Sequence, residues 1–90
     1  MDKKIAVIIR DRQEEALRMA LGLMLLDYTP DVFILDRPIE NTEKNRLQLK
    51  TVEEMELNLY TNCSDNKDIE QLSIEEITAS LTTYDVVLAY

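Results

Sequence analysis

Ile5-Ala6-Val7-Ile8-Ile9 sets five apolar residues in a row, four of them β-branched. A strand with one wet face alternates polar and apolar residues, whereas a strand covered on both faces carries an unbroken apolar run. Burial on both faces is the habit of parallel sheets held between helices, so this stretch predicts an α/β chain. Asp31-Val32-Phe33-Ile34-Leu35-Asp36 repeats the pattern, and Asp85-Val86-Val87-Leu88-Ala89-Tyr90 reads as a last buried strand. The strand expected over Glu56 to Tyr60 differs: Leu57 and Leu59 alternate with Glu56 and Asn58, which suits a half-exposed position.

Helical segments separate these strands. Asp11, with Glu14 three residues on, has the spacing of a capping box and opens a helix running to about Asp27, just short of Pro30. Thr42 caps a second helix over Glu43 to Glu54, with Leu47, Leu49, Val52 and Met55 as its apolar positions. A polar loop spans Thr61 to Gln71. Leu72-Ser73-Ile74-Glu75-Glu76-Ile77 then carries the clearest start signal: Ser73 and Glu76 can each satisfy the other's orphan amide, and Leu72 and Ile77 can close a hydrophobic staple. That helix reaches about Thr82. The order βαβαβαβ predicts a mainly parallel sheet of about four strands, right-handed crossovers and three layers, α/β/α.

Ninety residues fit one domain, residues 1–90, and a hydrophobic share of 46% supports a folded core. A net charge of −8, from eighteen acids and ten bases, repels nucleic-acid phosphates and anionic membranes alike; it also serves solubility. Met1-Asp2-Lys3-Lys4-Ile5 enters a strand too soon for a secretory signal, and Met19 to Leu26 is too short an apolar stretch to span a bilayer. With a single cysteine, these features place the chain in a reducing cytoplasm. The absence of histidine removes the commonest general base and the common zinc sites, and one lone glycine leaves no phosphate loop or dinucleotide fingerprint. No cofactor and no metal are expected.

Parallel strands deliver their carboxyl ends to one rim, where open α/β sheets place ligands. Here that rim collects Arg10 and Asp11 after the first strand, Asp36, Arg37 and Pro38 after the second, Asn62 and Cys63 after the third, and Tyr90 after the fourth. Cys63 is the only thiol, so it cannot close an internal disulfide. Two readings of it stand side by side: a reactive thiolate able to carry sulfur, or a small, partly buried apolar residue. Asp65 and Asp68 disfavour the thiolate and Lys67 favours it; Arg10 and Arg37 are candidate sources of positive charge. Glu14-Glu15, Glu53-Glu54 and Glu75-Glu76 read as solvated helix faces and dipole partners. The first helix is apolar beyond the stripe that one sheet requires, with Leu25 falling near Arg18 and Gly22, which fits either packing against a neighbouring helix of the same subunit or a self-association surface.

Lys3-Lys4-Ile5-Ala6-Val7-Ile8-Ile9-Arg10 with Glu15-Ala16-Leu17, Asp31 to Asp36, Leu57-Asn58-Leu59-Tyr60-Thr61-Asn62-Cys63, Leu72 to Ile77 and Asp85-Val86-Val87-Leu88 together resemble the DsrE/DsrF-like (DsrEFH) sulfur-relay family. The resemblance spans most of the chain and implies a small cytoplasmic subunit of flavodoxin-like, DsrEFH-like architecture in homo- or hetero-oligomers. It also implies that Cys63, matching the family's cysteine after the third strand, accepts persulfide sulfur from a protein donor and passes it on. The chain departs from the family in lacking glycines around that cysteine and a second cysteine nearby. Some relatives lack the cysteine, so a non-catalytic assembly subunit, or a small-molecule-binding one, remains the alternative, and whether the chain is an enzyme stays open.

Overall fold

Five parallel strands form one sheet in the computed structural model, which describes residues 3–90. Met1 and Asp2, part of the run read as leading into the first strand, lie outside the described residues. The elements are β1 (Ile5–Ile9), α1 (Gln13–Leu25), β2 (Asp31–Ile34), α2 (Glu43–Glu54), β3 (Leu59–Thr61), β4 (Glu70–Gln71), α3 (Ile74–Leu81) and β5 (Val86–Ala89). The sheet order is β4-β3-β2-β1-β5.

All five residues of β1 are buried, as its unbroken apolar run requires. Val7 and Ile9, with Val32 and Ile34 of β2, face α1 and α2 and meet Ala16, Leu17, Ala20 and Val52. Ala6 and Ile8, with Phe33 and Leu35, face the other way and meet Ile77 of α3. Successive side chains on a strand point to opposite faces, so these two sets define three layers, with two helices on one side of the sheet and one on the other. Phe33 stacks on Tyr60 at 5.2 Å and meets Tyr84 edge-on at 5.8 Å, which anchors the α3 side.

Several expected boundaries move, each for a physical reason. The capping box at Asp11 and Glu14 does not form. The α1 helix starts at Gln13 behind Arg12, without a side-chain cap, because the Asp11 carboxylate pairs with Arg37 at 2.9 Å instead. The same helix ends at Leu25 rather than near Asp27, since Asp27 turns into the left-handed region at φ 66°. Asp27 and Tyr28 return their amides to Met24 and Leu23, a Schellman ending with Asp where glycine is usual. The α2 helix closes identically: Glu56 takes φ 61°, and Glu56 and Leu57 donate to the carbonyls of Glu53 and Val52. Glu56 is therefore a helix ending, and the strand expected from it begins only at Leu59.

The polar loop also hides a short fifth strand, β4, where Glu70 and Gln71 pair with Tyr60 and Thr61. The final strand is not buried throughout: β5 is an edge strand paired only to β1, and Val87 and Ala89 lie exposed. The expected helix starts at Thr42 and Ser73 do form. Thr42 accepts from Asn45, and Ser73 and Glu76 make both halves of a capping box, which holds the Glu76 carboxyl below its ordinary pKa. Leu25 and Leu26 are left exposed at the end of α1.

Candidate functional site

The carboxyl rim is tied together by side chains rather than by close backbone turns. Gln13, first residue of α1 and buried, donates through Nε2 to the Arg10 and Pro38 carbonyls. Its Oε1 accepts from the Glu40 amide at 2.9 Å and from Asn45 Nδ2 at 3.3 Å. One amide group thus fixes the β1–α1 loop against the β2–α2 loop.

Beside it, five of the eight residues expected at the rim fall into two groups, Arg10 with Asp36 and Asn62, and Arg37 with Asp11. Arg10 Nε lies 3.1 Å from Asp36 Oδ2. Asn62 Oδ1 accepts the Asp36 amide at 2.7 Å, and Asn62 Nδ2 donates back to Asp36 Oδ1 at 3.2 Å. Asp36 takes φ 69°, a left-handed conformation that aspartate tolerates better than most residues, and this two-way hydrogen bond stabilises it. The hydrogen bond from Asn62 and, after it, that from Arg10 hold the Asp36 carboxyl below its ordinary pKa. Arg37 pairs with Asp11. Arg10 and Arg37, the candidate sources of positive charge, are thus paired with carboxylates, though in exposed pairs of small energetic weight.

Cys63 is half-buried one residue past Asn62, and among the described residues its sulfur joins no disulfide. Its backbone is held on both sides. The Cys63 amide donates to Thr61 Oγ1 at 3.1 Å, and its carbonyl accepts from the Asn66 amide and from Gln71 Nε2, each at 3.1 Å. Thr61 is fully buried, and its hydroxyl also donates to the Ile34 carbonyl at 2.6 Å and accepts from Asn66 Nδ2 at 3.0 Å. Asn66 continues to the β2–α2 loop, donating to the Arg37 carbonyl and accepting from the Ile39 amide.

Thr61, Asn66, Gln71, Gln13 and Asn45 are the residues that sequence reasoning missed. Gln13 and Asn45 lie in helices and Asn66 and Gln71 in the run read as a polar loop, and a polar residue in either carries no local mark that it will tie one loop to another. The one available signal was Thr61 itself, a β-branched residue at the end of the alternating run.

An open groove of about 940 Å³ lies over the first half of α1, walled in part by Gln13, Arg18, Met19, Gly22, Asn45 and Tyr90. Asn45 is buried, and its Oδ1 has no hydrogen-bond partner. Cys63 lies outside this groove. Among the described residues no group of three or more His, Cys, Asp or Glu side chains is placed to hold a metal ion. No helix among them is long and apolar enough to cross a membrane.

No protein-family profile matches the sequence, and no curated protein shows significant similarity to it. The fold does have a solved counterpart. The crystal structure of the ychN protein from E. coli superimposes with a TM-score of 0.73 at 15% sequence identity, over 98% of this chain and 99% of that one. The likeness extends end to end, and at this identity it establishes a shared fold.

Proposed function

We propose that the protein is a DsrE-like sulfur-handling subunit in which Cys63 carries sulfur as a persulfide. The observation that carries this reading is the placement of a half-buried cysteine just past the carboxyl end of β3, in an all-parallel sheet whose fold is shared with the ychN protein. The Cys63 thiol loses its proton to solvent, and the thiolate attacks the outer sulfur of a donor persulfide. A new S–S bond forms to Cys63 as the donor's S–S bond breaks, and the donor cysteine leaves as a thiolate with the bonding pair. Sulfur moves at unchanged total oxidation level, so no oxidant or reductant is consumed. Transfer to an acceptor thiolate repeats the step in reverse. The exposed Leu25 and Leu26 at the end of α1 supply a surface for assembly with like or related subunits.

Incubation with a persulfide donor followed by intact-mass measurement tests the proposal. One added sulfur, absent from Cys63→Ser, is the expected result; an unchanged mass with a donor shown to be active overturns it. A second reading has one observation in its favour. The open groove over α1, walled in part by Gln13, Arg18, Met19 and Tyr90, suits a small-molecule-binding subunit that does no covalent chemistry.

A further inference from the structure

The two sides of the sheet are covered unequally. One side carries α1 and α2, of thirteen and twelve residues. The other carries only α3, of eight residues, in which Ile77 alone is fully buried. At a rise of about 1.5 Å per residue α3 is about 12 Å long, set against a sheet of five strands spaced about 4.8 Å apart. In register, Val87 lies beside Ala6 and Ala89 beside Ile8, so both belong to the α3 side. Val87 is 44% exposed there, and Ile74 on the first turn of α3 is 45% exposed. Leu72, Leu81 and Tyr84, half-buried against the core cluster of this side, add apolar surface to it.

Charge divides the same way. Residues 1–50 hold nine acidic and nine basic side chains, whereas residues 51–90 hold nine acidic and one basic, Lys67. From Asp68 to Tyr90, the stretch that forms β4, α3 and β5, there is no Lys or Arg at all. Glu70, Glu75, Glu76 and Asp85 are exposed along it. Lys4 is brought against this surface, with its Nζ 4.8 Å from the centre of the Tyr84 ring.

We propose that this face, α3 together with the open side of β5, docks a Lys- and Arg-rich amphipathic segment of another protein. The apolar strip from Ile74 to Val87 receives its apolar side, and the acids around the strip receive its cations. A second copy is a poor occupant because residues 1–50 are neutral in sum, so a copy has no surplus of positive surface to offer. Nucleic acid and anionic membrane are repelled by the same acids.

Fluorescence anisotropy of a labelled amphipathic leucine–lysine peptide, titrated with the intact protein at low and high salt, tests the proposal. Glu70→Lys with Glu75→Lys should weaken binding about tenfold, while Glu53→Lys with Glu54→Lys on α2, the same change in net charge, should weaken it less than about twofold. Val87→Gln leaves charge unchanged and keeps the test open if the first pair of substitutions impairs folding; it should weaken binding severalfold. Absence of peptide binding, equal losses from the two charge-reversed pairs, or unchanged affinity in Val87→Gln overturns the proposal. Self-association in sedimentation that disappears on Glu70→Lys with Glu75→Lys assigns the face to a second copy and likewise overturns it.

Discussion

Replacing Thr61 by valine keeps the shape of the side chain and removes a hydroxyl at the centre of the rim. That hydroxyl has three partners: it donates to the Ile34 carbonyl and accepts from the Cys63 amide and from Asn66 Nδ2. Asn66 Nδ2 retains the Arg37 carbonyl, and the Cys63 amide is only partly buried, so their losses are partial. The Ile34 carbonyl loses a donor in a fully buried environment. With each stranded buried group costing about 1–3 kcal/mol, the substitution should cost about 2–4 kcal/mol in all. A domain of this length has roughly 5–13 kcal/mol of total stability, so the melting temperature should fall by about 10–30 °C. Thr61→Ser is the control: it keeps the hydroxyl and loses one methyl group, for about 1 kcal/mol. Urea and thermal unfolding followed by circular dichroism measure both variants, and the rate of Cys63 labelling by a thiol reagent reports local loosening. If Thr61→Val proves no less stable than Thr61→Ser, the hydroxyl is not the hub described above and the reasoning fails.

The left-handed ending of α2 gives an opposite prediction. Glu56→Gly should stabilise the fold by about 0.5–1 kcal/mol, because relief of roughly 1–2 kcal/mol of left-handed strain exceeds glycine's added chain entropy of roughly 0.5–1 kcal/mol. A melting temperature raised by about 2–8 °C is expected, and a lowered one refutes the account. Tyr84 should make the fold sensitive to alkali. Burial first, and then its 2.5 Å hydrogen bond to Asp31, raise its pKa in the folded state. Protons are therefore lost first by the unfolded chain, and stability present below about pH 10 should decline as pH rises further. Tyr84→Phe should flatten that decline in urea titrations between neutral and alkaline pH, and an equally steep decline in the variant would show that the sensitivity arises elsewhere.

What was legible in the sequence was what neighbours decide. Ser73 and Glu76 find each other across one helical turn, and no distant residue competes, so the expected capping box is present. The same spacing at Asp11 and Glu14 misled because Asp11 has an alternative partner in Arg37, from the loop after another strand. Continuous apolar runs gave β1 and β2 correctly as buried, yet the run at β5 proved to be an edge. An unbroken run shows that a strand tolerates cover on both faces, and it is silent on whether a neighbour exists to provide it. The β4 strand could not be read at all, since Glu70 and Gln71 are polar and become a strand only through pairing with Tyr60 and Thr61. The gathering of Arg10, Asp11, Asp36, Arg37 and Asn62 followed from parallel topology alone. Which of them pair, and that Thr61, Asn66 and Gln71 fix the backbone around Cys63, depended on distances that only the folded chain sets.

The single glycine explains much of how the two ends of the sheet differ. Gly22 lies inside α1, where an added Cβ would touch nothing, so it is not used at any left-handed position. Asp27 and Glu56 take two of the three left-handed positions, at the ends of the helices, with the exposed Leu26 and Met55 immediately before them, and Asp36 takes the third at the carboxyl rim. At that rim, amide side chains replace tight glycine turns: Gln13 joins the loops after β1 and β2, Asn62 joins β3 to Asp36, and Asn66 joins the β3–β4 loop to the loop after β2. The result is a rim whose loops are cross-tied through one polar layer, with the Cys63 backbone hydrogen-bonded at both its amide and its carbonyl. A sulfur carried on Cys63 would therefore reach donor and acceptor through rotation of its side chain and the approach of a partner, since swinging the loop would require breaking several of these bonds together. If Cys63 carries sulfur as proposed, this rigidity would favour docking of whole proteins over capture of sulfur by a mobile arm, and the partner surface would count for as much as the thiol.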